Sequence, residues 1–507
     1  MGTHAAMARV WVAAALLCTA ALVASSCGGG SSLPSLPGPG PVPSPLTSDV
    51  TRISSDPFAN PSSQHATQVE PDAFAFGNTI VVAFQSGRFF TAGASDIMFA
   101  TSHDGGATFT TGALPGTTNI VQPGSPFGSV SDPSVAYDAA HGVWLIASLP
   151  IVFRGTPAPA ALVSRSTDGI LWNSPVAVAP GQLSSDKEWI VCDNTLSSPF
   201  YGHCYVEWDD PSANGLIHMS TSADGGLTWG PARNTANLAT GIGGQPLVQP
   251  NGTVVVPIAD FNEQNLLAFG SHDGGASWTA AALVTPVFDH FDAGGMRSGP
   301  LPSAAIDAAG TVYMVWQDCR FRSGCSANDI VMSTSVGGAS WTPVTRVPID
   351  PVASSVDHFL PGIGIAPGTS GASARLGITY FYYPTTVCST AASAPCLLNV
   401  GFLSSLDGGA TWSTPVALAG PMSLSWLAQT NIGSMVGDYT TTVYVGTQPH
   451  GFFSVAHAPS SALDEAMYTS KAGVIALIAG HRSSAADRPI AGAHSDHPPR
   501  RLPPIRQ

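Results

Sequence analysis

Six of the eight cysteines fall into three close pairs: Cys192 with Cys204, Cys319 with Cys325, and Cys388 with Cys396. Paired thiols can bridge or hold zinc. None of these pairs has the CxxC spacing of a zinc site, so short disulfide loops in an oxidising compartment are expected. Each bridge would contribute on the order of 2 to 3 kcal/mol, pinning a loop without replacing a core. The Cys319 to Cys325 bridge would hold a basic loop, QDCRFRSGCSAND, carrying Arg320 and Arg322. His203, His290, His358, His450 and His457 are scattered without HExxH or paired spacing, and GxSxG and P-loop motifs are absent. Zinc-hydrolase, serine-hydrolase and nucleotide-binding chemistries therefore lack support. Aspartates in Gly-rich loops could ligate calcium, but no EF-hand or nonapeptide pattern organises them, and neither metal nor cofactor is predicted.

The elements that must position such residues announce themselves by repetition. SHDGGATF begins at Ser102, SADGGLTW at Ser222, SHDGGASW at Ser271 and SLDGGATW at Ser405, while STDGILW at Ser166 is one residue shorter. In TSVGGASW, from Thr334, Val336 stands where the aspartate is expected. Asp104, Asp168, Asp224, Asp273 and Asp407 can each accept backbone N–H groups of their own turn, glycine supplies positive φ, and the aromatic tucks into apolar packing. Ahead of each corner runs a strand-like segment with alternating apolar positions, such as GLIHMSTS or NDIVMSTS. Further upstream come apolar hairpins near 70–84, 130–148, 188–208, 243–258, 301–316, 358–382 and 435–456.

The repeated corner resembles the Asp box of the sialidase and BNR-repeat families, where it joins the third and fourth strands of a propeller blade. The fold this implies is all-β, a single β-propeller of four-stranded blades over residues 50–480. Seven hairpins favour seven blades, against the six of typical sialidases, and TRIS near Arg52 could complete the last blade beside DEAMYTS. The stretch NTIVVAFQSGRFFTAGASDIMFATSHDGGATF is similar to the sialidases' first inner strand, arginine loop, aspartate loop and first box. By this resemblance Arg88, Arg297 and Arg320 would form a carboxylate-binding triad, and Asp96 would lie at the general acid. Tyr439, in GDYTTT, falls where the family carries its tyrosine nucleophile. A phenol with a pKa near 10 needs a base, and Glu188, Glu207 and Asp318 are the candidates, each of which could instead cap a turn. The family's opening Arg-Ile-Pro is absent; the corresponding place reads VEPDAF, with Glu70 ahead of Pro71. A Glu70 pointing into the channel would repel sialate and imply a neutral or cationic ligand.

The ends of the chain read differently. Arg9, the apolar run Val10 to Ala24, then Ser25, Ser26 and Cys27 form an export signal that resembles a bacterial lipoprotein signal, with Cys27 as the lipidated residue. A plain cleaved signal or an uncleaved anchor is the alternative, and all three place the folded part outside the cytoplasm. Residues 28–49 form a Pro/Gly/Ser-rich tether, and 481–507 a Pro- and Arg-containing tail expected to be disordered. The net charge is -14 and only Lys187 and Lys471 are lysines, so no basic stripe is available for nucleic acid. Two functions are compatible: a monomeric, glycan-directed envelope protein, either hydrolase or lectin-like, or a noncatalytic platform for another envelope protein.

Overall fold

The computed structural model describes residues 49–152, 156–385, 396–471, 481–482 and 489. The signal segment with Cys27, the tether up to residue 48, Cys388 and nearly all of the tail lie outside them. The described residues are all-β, with only short 3-10 turns as helix, and none of their helices is long and apolar enough to cross a membrane. Among the described residues, seven antiparallel four-stranded meanders succeed one another. Six lie within 64–113, 129–178, 186–234, 247–286, 303–346 and 358–423. The seventh combines Thr441–Val445, Gln448–His457 and Asp464–Ser470 with the N-terminal strand Val50–Arg52, which pairs with Asp464–Ser470. The third to sixth are separate sheets; the first shares ladder pairs with its neighbours at Thr67 with Glu465 and Ala94 with Val130.

Strands buried on both faces need apolar residues at nearly every position, and Val254–Ala259, VVVPIA, is buried throughout. The apolar core is correspondingly divided among interfaces between neighbouring meanders. Tyr313, Val315 and Met332 of the fifth pack on Ile363, Leu376 and Ile378 of the sixth. Ile80, Phe84 and Met98 of the first pack on Phe452 and Met467 of the seventh. Hydrogen bonds fasten successive first strands to one another. Asp72 Oδ2 accepts from Val135 N at 2.8 Å, Ser134 Oγ from Ile190 N at 3.1 Å, Gln245 Oε1 from Ala304 N at 2.8 Å and Ser303 Oγ from Ile363 N at 3.2 Å. Thr442 Oγ1 donates to Gly362 O at 2.8 Å, and Glu70 N donates to Val436 O at 2.9 Å, linking the seventh meander to the sixth and to the first. Disulfides join Cys192 to Cys204 and Cys319 to Cys325. Cys396 is also disulfide-bonded.

The repeated corners work as local caps. Asp224 Oδ1 accepts from Leu227 N, Thr228 N and Ser222 Oγ, and Oδ2 accepts from Thr228 Oγ1. At Asp104 the hydrogen bonds from Thr108, Ser102 and Ala107 hold the carboxyl well below the usual range. The Asp168 corner is tighter by one residue: Ser166 Oγ accepts from Gly169 N, Asp168 Oδ1 accepts from Ile170 N and Leu171 N, and Trp172 Nε1 donates to Gly169 O. The fifth corner has this same tight form, because Ser335 Oγ accepts from Gly338 N at 2.8 Å and Trp341 Nε1 donates to Gly338 O at 3.0 Å. That register corrects the sequence alignment: Gly337, not Val336, occupies the aspartate position, and Val336 is 77% exposed.

A Cβ at Gly337 would meet nothing within 4 Å, and its φ is not left-handed. Gly337→Asp is therefore expected to raise the unfolding free energy by about 0.5 to 1 kcal/mol, by restricting the unfolded chain and capping Ala339 and Ser340. Denaturant titration checks this, and a destabilised variant would show that the register is misassigned.

Candidate functional site

The first strands of four meanders carry an extra residue that breaks their register, between Val69 and Asp72, Ser131 and Ser134, Asp186 and Trp189, and Phe359 and Gly362. At each bulge one non-glycine residue takes positive φ: Glu70 at 60°, Asp132 at 47°, Lys187 at 50° and Leu360 at 49°. Pro71, Pro133 and Pro361 follow three of them. Proline has no N–H for the ladder, so it favours such a break, and the bulge re-aims the preceding side chain. A left-handed non-glycine residue costs on the order of 1 to 3 kcal/mol and persists only where its surroundings hold it. Gln245 and Leu301 likewise precede prolines, and both line a small cleft with Lys187, Leu360 and Asp438.

Charge holds three of these strained residues, Glu70, Asp132 and Lys187. Lys187 Nζ lies 3.2 Å from Glu70 Oε1, 3.5 Å from Asp132 Oδ1 and 2.5 Å from Asp438 Oδ2. Arg297 grips Asp438 with both ends of its fork, Nε to Oδ1 at 2.7 Å and Nη2 to Oδ2 at 2.5 Å. Asp438 N donates to Glu70 Oε1 at 3.2 Å, Gln85 Nε2 donates to Glu70 Oε2, and Ser131 Oγ donates to Asp132 Oδ1 at 2.8 Å. Burial alone would lower the Lys187 ammonium, but Asp132, Asp438 and Glu70 outweigh it and hold it well above its ordinary range. For Asp132 burial pulls upward and Lys187 prevails, leaving the carboxyl lowered. Burial wins at Glu70, which is raised, and at Asp186, which burial and Asp132 push up to about 6.

A cavity of about 820 Å³ opens over this network. Arg88, Asp132, Asp186, Lys187, Arg297 and Asp438 line its charged part; Leu149, Ile151, Phe261 and Ile432 give it apolar wall, and Gln182, Asn214, Asn262 and Asn431 supply amides. Glu70 is fully buried and contacts the network without lining the cavity.

The residues singled out in the sequence are only partly brought together. Arg88 and Arg297 both reach the cavity. Arg88 Nε points to Met435 Sδ at 3.2 Å and Nη1 donates to Gly93 O, while burial, and then Arg297, lower its pKa to about 10. Arg320 lies elsewhere, held by Asp318 through Nε at 2.8 Å and Nη2 at 2.6 Å, with the Phe288 ring centroid 5.1 Å away. The three arginines therefore do not share the cavity. Tyr439 and Glu188 line the small cleft that shares Lys187 and Asp438 with it. The Tyr439 hydroxyl donates to Pro133 O at 2.9 Å, and its ring meets Trp189 edge-on at 5.0 Å. Burial, and then Glu70 and Asp132, raise that phenol well above its ordinary pKa. Neither Glu188 oxygen has a hydrogen-bond partner, and burial followed by Asp132 keeps this carboxyl well above the usual range. Asp96 pairs with Ser86 in the ladder, accepts from Thr117 Oγ1 and lines neither cavity. Glu207 is buried opposite Trp189, and Asp318 is taken by Arg320. Sequence reasoning missed Lys187, Asp132 and Asp186; the recurring acid or amide before proline, in VEPD, SDPS and GQPL, was an available signal for Asp132, while Asp186 and Lys187 precede no proline.

No family model and no curated protein matches this chain. Among solved structures it is similar to a Dyadobacter fermentans protein of unknown function, at 17% identity over 71% of this chain and 100% of that one, with a TM-score of 0.43. A mutant NanB sialidase from Streptococcus pneumoniae aligns at 13% identity over 84% and 71%, with a TM-score of 0.40. An ulvan lyase of a new polysaccharide lyase family aligns at 10% over 82% and 95%, with a TM-score of 0.47.

Asp72, beneath the Glu70 bulge, gives a pH test. Burial pushes its carboxyl up to about 7 from an ordinary 3.8. The folded chain therefore keeps a proton that the unfolded chain releases, and the associated stability, complete below about pH 4, is lost as pH rises through 7. Unfolding free energy should fall by a few kcal/mol between pH 4.5 and 7.5, and isosteric Asp72→Asn should flatten that slope. Equal slopes in denaturant titrations of the two proteins would refute the assignment.

Proposed function

We propose that the chain is an exported seven-bladed β-propeller whose cavity binds a neutral glycan and does not hydrolyse sialosides. The meanders would be its blades, and three observations support this: first strands fastened to one another, packing of the first meander on the seventh, and a seventh sheet completed by Val50–Arg52. Closure of that kind removes exposed sheet edges. Export, with a lipid on Cys27, rests on the N-terminal signal and accords with the two bridges.

The observation that carries the ligand class is the commitment of the cations at the cavity. Arg297 is spent on Asp438, Lys187 on Asp438, Glu70 and Asp132, and Arg88 on a carbonyl and a thioether. A sialate carboxylate would have to displace these partners while facing Asp132, Asp186 and Asp438, at a cost its own pairing would not recover. Hydroxyl groups of a neutral sugar instead match the amides of Asn214, Asn262 and Asn431, and the half-buried Phe261 offers a ring for a sugar face. Tyr439, whose hydroxyl donates to Pro133 O and whose pKa burial raises, is not an activated nucleophile.

A glycan array followed by calorimetry tests this. Neutral oligosaccharides should bind, Phe261→Ala should weaken the best of them about tenfold without changing Tm, and 4-methylumbelliferyl sialoside should not be turned over by wild type or Tyr439→Phe. Failure to bind any glycan would remove the reading, as would sialoside turnover that Tyr439→Phe abolishes.

A further inference from the structure

Away from the cavity, the described residues contain two clusters in which histidine and aspartate ligand atoms lie within 4.8 Å of one another. In one, Asp329, Asp350 and His358, the charge is already answered: Arg322 and Arg346 both reach Asp329 and Asp350, at 2.5 to 2.9 Å. It is a structural ion-pair network and calls for nothing more.

The other, His290, Asp292 and Asp357, has no such answer. His290 Nδ1 is 3.0 Å from Asp357 Oδ1, which also accepts from Asn328 N at 2.7 Å. Asp292 Oδ2 accepts from Ser298 Oγ and, at 3.4 Å, from Gln317 Nε2. Its Oδ1 has no hydrogen-bond partner, although the residue is only 3% exposed. Among the described residues, no arginine or lysine pairs with Asp292 or Asp357. Asp289, also buried, adds a further carboxylate nearby, held by Gln317 Nε2 at 3.0 Å and Asn328 Nδ2 at 2.9 Å. Buried carboxylates that face one another without a cation are costly, and either protons or a metal must neutralise them.

We propose that His290, Asp292 and Asp357 hold a divalent cation that ties the crossing 287–302 to the crossing 347–357. An imidazole with carboxylates suits Mn²⁺ or Zn²⁺, and carboxylate-rich surroundings also admit Ca²⁺. The His290 side chain is 23% exposed and gives the ion a way in from solvent. The crossing it would brace is the one that delivers Arg297 to the cavity, five residues beyond Asp292.

The test uses the full chain, stripped with EDTA and titrated separately with Mn²⁺, Zn²⁺ and Ca²⁺ by calorimetry and thermal melting. At least one of the three should bind at one ion per chain and raise Tm in a way that EDTA reverses. Asp292→Asn should weaken that binding about 100-fold or more. The metal-free variant should melt no lower than metal-free wild type, because a buried carboxyl that must otherwise be neutralised has been removed. Asp357→Asn serves as the second ligand variant if Asp292→Asn does not fold, with the same expected loss of binding. Absence of binding for all three ions, or binding unchanged in these variants, would overturn the proposal.

Discussion

The arrangement depends on one buried ammonium. Lys187 sits on the first strand of the third meander, and the carboxylates it meets come from the first, second and seventh. Neither party is tolerable alone: an unpaired ammonium in the interior loses its hydration, and three carboxylates brought together repel. Each side therefore fixes the other, and three strands and the segment that leads into the seventh meander, all remote in sequence, are tied at a single point. The same attraction accounts for the left-handed backbone at Glu70, Asp132 and Lys187, since only the bulged conformation lets those side chains meet.

The opposite side of the small cleft is built from the same kind of position filled with other side chains. Leu301 and Leu360 stand before prolines as Glu70 and Asp132 do, and they bring hydrocarbon in place of charge. One half of the centre is thus polar and rigidly paired, the other apolar. A ligand that met this surface would be oriented by the difference, with hydrogen-bonding groups over Lys187 and Asp438 and its less polar face toward the leucines. With the cations already paired, a ligand's hydrogen bonds would supply its affinity.

Much of the architecture could be read from the chain because its signals are local. The aspartate corner satisfies its own backbone within five residues, and strand alternation needs no distant partner. The completion of the last sheet by the N-terminal segment at Arg52 could be read although the partner is remote, because DEAMYTS is a third strand with no corner and fourth strand after it. The fifth corner shows the limit: a one-residue shortening moved the aspartate place from Val336 to Gly337, which only the hydrogen bonds reveal. The centre was less legible, since Lys187 and Asp438 are 251 residues apart and meet through bulges that break the alternation on which strand reading relies. Roles assigned by order along the chain brought Arg88 and Arg297 to the cavity but left Arg320 with Asp318 and Asp96 within its sheet.

The central claim is that Lys187 and its carboxylates stabilise one another. A double-mutant cycle of Lys187→Met and Glu70→Gln, followed by denaturant unfolding, measures this directly. The account requires Lys187→Met alone to cost about 3 to 5 kcal/mol. Adding Glu70→Gln should then restore part of that loss, with a coupling of at least about 1 kcal/mol. Additive effects of the two substitutions, or a Lys187→Met protein as stable as wild type, would contradict it.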